Sequence, residues 1–198
     1  MRVETFVRGP LLNNVYLLWD EHSNEASIID PGIQSDDLLQ NIQNLQLNLR
    51  YVLNTHRHFD HVDNDEFYRE QTGAPIVLHQ DDAAMLEAEF GISPDIILHG
   101  GEELALGSLT IRTLHTPGHS AGGMCFLVGD HFFAGDTLFA GSVGRSDFAD
   151  SDGELLLKVI AEKILPLPDA TRVLPGHGDE TTVGAERAGN PFLQGLVG

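Results

Sequence analysis

The run Thr55-His56-Arg57-His58-Phe59-Asp60-His61 places three imidazoles and a carboxylate within six residues, directly after the apolar stretch Tyr51, Val52 and Leu53. Imidazole and carboxylate donors suit zinc, iron or manganese, whereas a sulfur-rich structural zinc site needs several cysteines and this chain has one, Cys125. In an extended segment side chains alternate sides, so His56, His58 and Asp60 are expected to point one way. His61 then swings round as the chain turns into the next element, and one segment can serve two metals.

Three more segments have the character of ligand loops. Thr116-Pro117-Gly118-His119-Ser120 follows the alternating stretch 109–114. Ala134-Gly135-Asp136-Thr137 follows the apolar stretches 124–128 and 131–133, and Pro175-Gly176-His177-Gly178 follows Arg172, Val173 and Leu174. Each sets one His or Asp just beyond a strand end, beside a glycine that lets the backbone come close to a site.

The elements that must position these loops follow from periodicity and turn residues. Residues 3–7, 15–19 and 26–29 read as successive strands separated by Gly, Pro, Asn and charged turns. Leu38, Ile42 and Leu45 recur at helical spacing behind Ser35, Asp36 and Asp37, and a second helix after His61 ends at Gly73. Residues 76–78 form a short strand and 82–89 a helix, while 91–101 is expected to be an irregular loop over the site. Ser151-Asp152-Gly153-Glu154 has capping-box spacing, with Leu156, Val159, Ile160 and Ile164 on one helix face until Pro166 stops it. This order fits two packed sheets covered outside by helices.

Over 198 residues a hydrophobic fraction of 41% is enough for one compact core. Eleven Lys and Arg against thirty Asp and Glu give a formal charge of −19, and the only ammonium groups are those of Lys158 and Lys163. A nucleic-acid substrate is therefore excluded, because phosphate binding depends on clustered cations. No signal peptide and no apolar run of the ~20 residues needed to span a bilayer is visible, so a soluble cytoplasmic protein with no membrane partner is expected. Cys125 lies in an apolar stretch and is expected to pack in the core.

With these motifs placed, the chain resembles the metallo-β-lactamase-fold hydrolases, and among them the glyoxalase II (hydroxyacylglutathione hydrolase) group, from Asn13 to Leu193. The resemblance implies an α/β fold, a four-layer αββα sandwich of two mixed β-sheets flanked by helices. It implies that His56, His58 and His119 hold a first metal, that Asp60, His61 and His177 hold a second, and that Asp136 bridges them. Two divalent ions are expected, zinc first, with iron or manganese as alternatives. Asp60 and Asp136 would position a hydroxide shared by the metals as catalytic ligands, and Asp30, in Ile29-Asp30-Pro31-Gly32, would support the site without binding metal. Only 21 residues follow His177, so residues 1–198 are expected to form a single metallo-β-lactamase domain without the C-terminal helical domain of full-length glyoxalase II.

The implied reaction is hydrolysis of thioesters of the S-(2-hydroxyacyl)glutathione type, a small-molecule substrate handled by a monomer or homodimer. Arg145, in the glycine-lined loop Gly141 to Phe148, is expected to bind a substrate carboxylate through paired hydrogen bonds, against the alternative of an ion pair with Asp147. The rival resemblance is to the persulfide dioxygenases, mononuclear iron enzymes whose ligands would map to His56, His119 and Asp136. Pro175-Gly176-His177-Gly178 is nearer to the hydrolases, and lactonase, β-lactamase or other ester hydrolysis on the same fold is a further alternative. His22, His79, His99, His115 and His131 are expected as surface or hydrogen-bonded core residues. Phe59 is expected to pack inward and Arg57 to lie near the mouth of the site.

Overall fold

The computed structural model describes residues 1–196. Its first sheet contains β1 (Arg2–Arg8), β2 (Asn13–Trp19), β3 (Glu25–Ile29), β4 (Asn48–Leu53), β5 (Ile76–His79) and β6 (Ile96–Leu98), adjacent in that order. The first three are antiparallel neighbours, and β3 to β6 run parallel. Parallel strands need crossovers, and α1 (Asp36–Asn44), then α2 (Phe59–Val62) with α3 (Asp65–Thr72), then α4 (Gln80–Phe90) supply them.

The second sheet has the order β14-β13-β10-β9-β8-β7, from β7 (Glu103–Leu106), β8 (Leu109–His115), β9 (Met124–Val128), β10 (His131–Gly135), β13 (Arg172–Pro175) and β14 (Thr181–Thr182). Only β10 and β13 are parallel in it, joined by a crossover through α5 (Gly153–Val159). A short hairpin, β11 (Leu138–Phe139) with β12 (Ser142–Val143), leaves β10 on the site side, and α6 (Val183–Gly189) follows β14.

Strand periodicity sorts the core into layers. Along β2, Val15, Leu17 and Trp19 face the helices of the first sheet, where they pack with Leu38, Ile42, Tyr68 and Leu86. Tyr16 and Leu18 face the second sheet and join Ile29, Leu53, Phe126, Phe133 and Leu174. The outer face of the second sheet buries Phe132, Ala134 and Val173 under Leu156, Ile160 and Val183. Three apolar layers between four layers of structure make the expected αββα sandwich of two mixed sheets.

Three details differ from the sequence reading. Residues 91–101 are not a loop over the site: they contain β6, whose apolar Ile96 and Leu98 extend the parallel sheet at the edge beside β5. Asp152, not Ser151, caps α5, its Oδ1 accepting the Leu155 N–H at 3.0 Å. The helix then widens into a π turn over Ile160–Ile164 before Leu165. Lastly, the chain is already helical at Phe59, so the extended geometry expected through Asp60 stops at His58. Among the described residues no helix is long and apolar enough to cross a membrane.

Candidate metal centre

All four ligand loops open at one edge of the sandwich. The 54–61 segment leaves the end of β4, and backbone bonds hold it to both sheets: Asn54 N–H donates to Val77 O and Met124 N–H to Thr55 O. The His119 loop leaves β8, Asp136 leaves β10, and His177 leaves β13. Gly176 is required at the last turn, because a Cβ there would lie 2.4 Å from Asp136 Oδ1 and 2.7 Å from His61 Cε1.

The structure brings the seven expected residues together. His56, His58 and His119 form one group whose donor atoms lie within 4.8 Å of one another; Asp60, His61 and His177 form another; His56, His61 and Asp136 link the two. Asp136 Oδ2 is 3.5 Å from His119 Nε2 and its Oδ1 is 3.5 Å from His61 Nε2. One carboxylate therefore faces both groups.

Hydrogen bonds behind the cluster set which ring nitrogen each imidazole presents. His119 Nδ1 donates to Arg145 O at 2.8 Å and His177 Nδ1 to Leu11 O at 3.0 Å, so each aims Nε2 inward. His56 Nδ1 lies 3.1 Å from Thr55 Oγ1, and His61 Nδ1 is 3.1 Å from Asp30 Oδ2. His58 is the exception, presenting Nδ1 at 2.9 Å from His119 Nε2. Asp30, with φ of 54°, accepts the Thr55 N–H and hydroxyl at 2.7 Å each, behind the group that holds His61.

A metal fits these residues on the structure's own terms. His56 Nε2, His61 Nε2 and Asp136 Oδ1 are buried without a hydrogen-bond partner, and buried polar atoms are seldom left so. Nitrogen and carboxylate donors suit zinc, iron or manganese alike. The two groups differ electrostatically. Burial and the surrounding imidazoles hold His56 well below the ordinary imidazole range and push His58 down to about 4, so these two rings are neutral and ready to donate. Burial also opposes charge on His61, yet Asp136, Asp30 and Asp60 outweigh it and lift His61 to about 9. His177 is raised as well: its hydrogen bond to Asp60 and the charge of Asp136 overcome burial.

Several supporting residues carry no motif and were missed by the sequence reading. Asn13 Nδ2 donates to Asp60 O at 2.7 Å and to Asp60 Oδ2 at 2.9 Å. Asn14 and the Tyr16 hydroxyl hold Pro175 O and Gly178 O around His177. Asp82, on α4, accepts from Arg57 N–H, Ser120 Oγ and Gly122 N–H, joining the loop of His56 and His58 to that of His119. No short-range pattern marks these residues; only the fold makes them neighbours.

A cavity of about 520 Å³ opens over the cluster, lined by His58, Asp60, His119, Asp136 and His177 and by Leu11, Phe59, Phe139, Val143, Phe148 and Arg145. A larger, more open groove of about 790 Å³ adjoins it through Val143 and Arg145 but contains no group of metal donors. Phe59 and Arg57 exchange their expected places. The helical turn starting at Phe59 directs that ring outward, 55% exposed, into the cavity. Arg57 is buried, pairing with Glu89 at 2.9 Å and Asp150 at 2.7 Å. Arg145 lies at the rim, its fork on both oxygens of Asp147 at 2.7 and 2.9 Å and its carbon 4.3 Å from the centre of the Phe148 ring. His79 and His115 stack at 3.9 Å beside Asp81, but parallel rings keep their in-plane lone pairs from converging on one ion. They are instead hydrogen-bonded, to Asp81 N–H and Ala121 O.

The family model of the Metallo-beta-lactamase superfamily matches residues 8–177. The chain is 36% identical over 209 residues to hydroxyacylglutathione hydrolase GloC of Haemophilus influenzae, covering 98% of each. Among solved structures it is similar to BLEG-1, a B3 metallo-beta-lactamase, with TM-score 0.91, 36% identity and coverage of 98% of this chain and all of that one. It is also similar to TTHA1623 in a di-iron-bound form, with TM-score 0.83, 35% identity and coverage of 96% of this chain and all of the other.

Proposed function

The chain belongs to the metallo-β-lactamase superfamily, as a metal-dependent hydrolase, and from that premise we propose that it cleaves thioesters of the S-(2-hydroxyacyl)glutathione type with two divalent metals. The observation that carries the two-metal reading is Asp136, whose oxygens face the His119 and His61 sides at 3.5 Å each. His56, His58 and His119 would hold one ion, Asp60, His61 and His177 the other, and Asp136 both. When bound, such ions supply Lewis acidity toward a carbonyl oxygen and hydroxide at neutral pH.

The chain's own residues fix geometry rather than attack the substrate. Asp60, held by Asn13, and Asp136, held beside Gly176, keep two carboxylates in fixed positions at the cavity floor. The only hydroxyl side chain lining the cavity, Ser142, points to Val143 O and has no base beside it, and Cys125 is buried away from the cavity. Nucleophilic catalysis by a serine or cysteine therefore has no support here. The backbone carbonyls of Arg145 and Leu11 hold the His119 and His177 rings, so the cavity rim and the donor cluster are mechanically one unit. Arg145 is the only Lys or Arg lining the cavity, and we assign it to the carboxylate of a glutathione-type thiol half, in exchange for Asp147. Similarity to the GloC hydrolase supports the thioester class.

Metal analysis of protein purified without added metal, with S-lactoylglutathione hydrolysis and oxygen uptake followed in parallel, tests this reading. Two equivalents of metal with hydrolysis are expected. One iron per chain with persulfide-dependent oxygen consumption would overturn it in favour of the dioxygenase alternative.

A further inference from the structure

The cavity has two unlike sides. On the His58 and His119 side lies Phe148, with ring centres 4.8 and 5.8 Å from theirs, and on its face Arg145. On the His177 side lie Phe139, 6.4 Å from that ring, and Leu11, whose carbonyl holds it; Phe59, next to Asp60 in sequence, lines the same cavity. No Lys or Arg lines the His177 side. Leu11 and Phe59 are each about half exposed, at 49% and 55%, beside polar donors. Apolar surface gathered at the mouth of a reactive centre marks where an apolar group is bound.

We infer that the Leu11, Phe59 and Phe139 wall is an acyl subsite, selecting thioesters whose acyl group carries an extended, uncharged apolar substituent over short or carboxylated ones. This rests on the thioester reading. The polar thiol half goes to the side with the guanidinium, and the acyl half to the side without one. A carboxylate at the end of the acyl chain would lose water against Leu11, Phe59 and Phe139, whose side chains offer it no donor, so a succinyl group is disfavoured against a butanoyl group of similar size. Each added methylene that leaves water against this wall favours binding, and full burial of one corresponds to about fourfold, half burial to about twofold.

The test is a series of acetyl, butanoyl, hexanoyl and succinyl thioesters of N-acetylcysteamine, a neutral thiol, with the same acyl groups on glutathione as a second series. With metal-loaded protein, kcat/KM is expected to rise about two- to fourfold per methylene from acetyl to hexanoyl in both series, with succinyl below butanoyl. In Leu11→Ala and Phe139→Ala that slope should fall while two equivalents of metal are retained, a readout that separates the subsite from damage to the cluster. A flat or falling chain-length profile, with short thioesters still hydrolysed, overturns the subsite and leaves the thioesterase reading standing. No hydrolysis of any member by two-metal protein overturns both. A slope unchanged in both variants also refutes the assignment of this wall.

Discussion

Asp82→Ala should damage the first group of donors far more than the second, although Asp82 hydrogen-bonds to none of the seven candidate ligands. Its side chain is fully buried and serves three donors: Oδ2 takes the Arg57 N–H at 3.1 Å and the Ser120 hydroxyl at 2.9 Å, and Oδ1 takes the Gly122 N–H at 2.7 Å. Arg57 lies between His56 and His58, and Ser120 and Gly122 flank the turn after His119. Removing the carboxylate leaves these donors buried and unmatched, at about 1–3 kcal/mol each. The serine hydroxyl can turn to another acceptor, so the two N–H groups dominate and the loss should be about 2–6 kcal/mol, a large share of the ~5–15 typical of a domain. Asp82→Asn, which keeps one oxygen and sets an NH₂ against the remaining donor, should lose roughly half as much. Urea melts of metal-free protein give the stability change, and chelator competition gives the affinity of each metal. The first ion to fill wild-type protein at low pH should bind at least tenfold more weakly in the alanine variant. A melt within about 0.5 kcal/mol of wild type, or an equal loss at both metals, would refute the view that Asp82 ties the two loops together.

Four further outcomes are expected. Metal loading should be stepwise in pH: the group of neutral His56 and His58 fills in mild acid, while the group containing His61 fills as pH rises toward about 9, because an ion there displaces a proton. In the metal-free protein the sign is opposite, since charged His61 stabilises the fold fully below its ordinary value of 6.5 and that contribution is lost as pH climbs through about 9; metal content and melting curves against pH check both. Gly176→Ala should lower occupancy of both metals, because its methyl would crowd Asp136 and His61 together, and normal two-metal content in a folded variant would contradict the packing. Arg145→Ala should raise KM for anionic thioesters by up to about tenfold while metal content stays at two. Its pair with Asp147 is exposed, so the melting temperature should hardly change, and a sharp fall with equal losses on neutral thioesters would make it a structural ion-pair residue.

The candidate donor residues, which the fold brings together, were legible because each follows a strand and the chemistry narrows the choice: imidazoles two apart, then a carboxylate, all after an apolar run. Most strand and helix positions followed from period-two and period-3.6 patterns, as the split of β2 between two apolar layers shows, but β6, β7 and α6 carried too short a pattern to be seen. What failed was orientation at the junction between elements. The first helical turn begins at Phe59 and not after His61, which reverses the expected places of Phe59 and Arg57. The supporting residues were out of reach for another reason. Asn13 meets Asp60 across 47 residues and Asp82 meets Gly122 across 40, and such contacts leave no periodic trace in the chain.

The electrostatics of the cluster argue that it is built around positive charge independently of any resemblance. His61 has Asp30 at 3.1 Å, Asp136 at 3.5 Å and Asp60 at 3.6 Å, three carboxylates about one fully buried ring. Without a cation this arrangement would gather negative charge in a poorly solvated pocket, in a chain that already carries a formal −19. The metal-free protein meets the demand with protons, which is why His61 and His177 titrate upward against their burial. A proton on His61 answers one charge only, and it leaves Asp136 Oδ1 buried and unpartnered. A divalent ion in reach of Asp60, His61, His177 and Asp136 would answer two charges and use that oxygen. Displacement of protons by metal thus falls mainly on the second group, and it is this displacement, rather than filling of the side that holds neutral His56 and His58, that should make the protein's activity depend on pH.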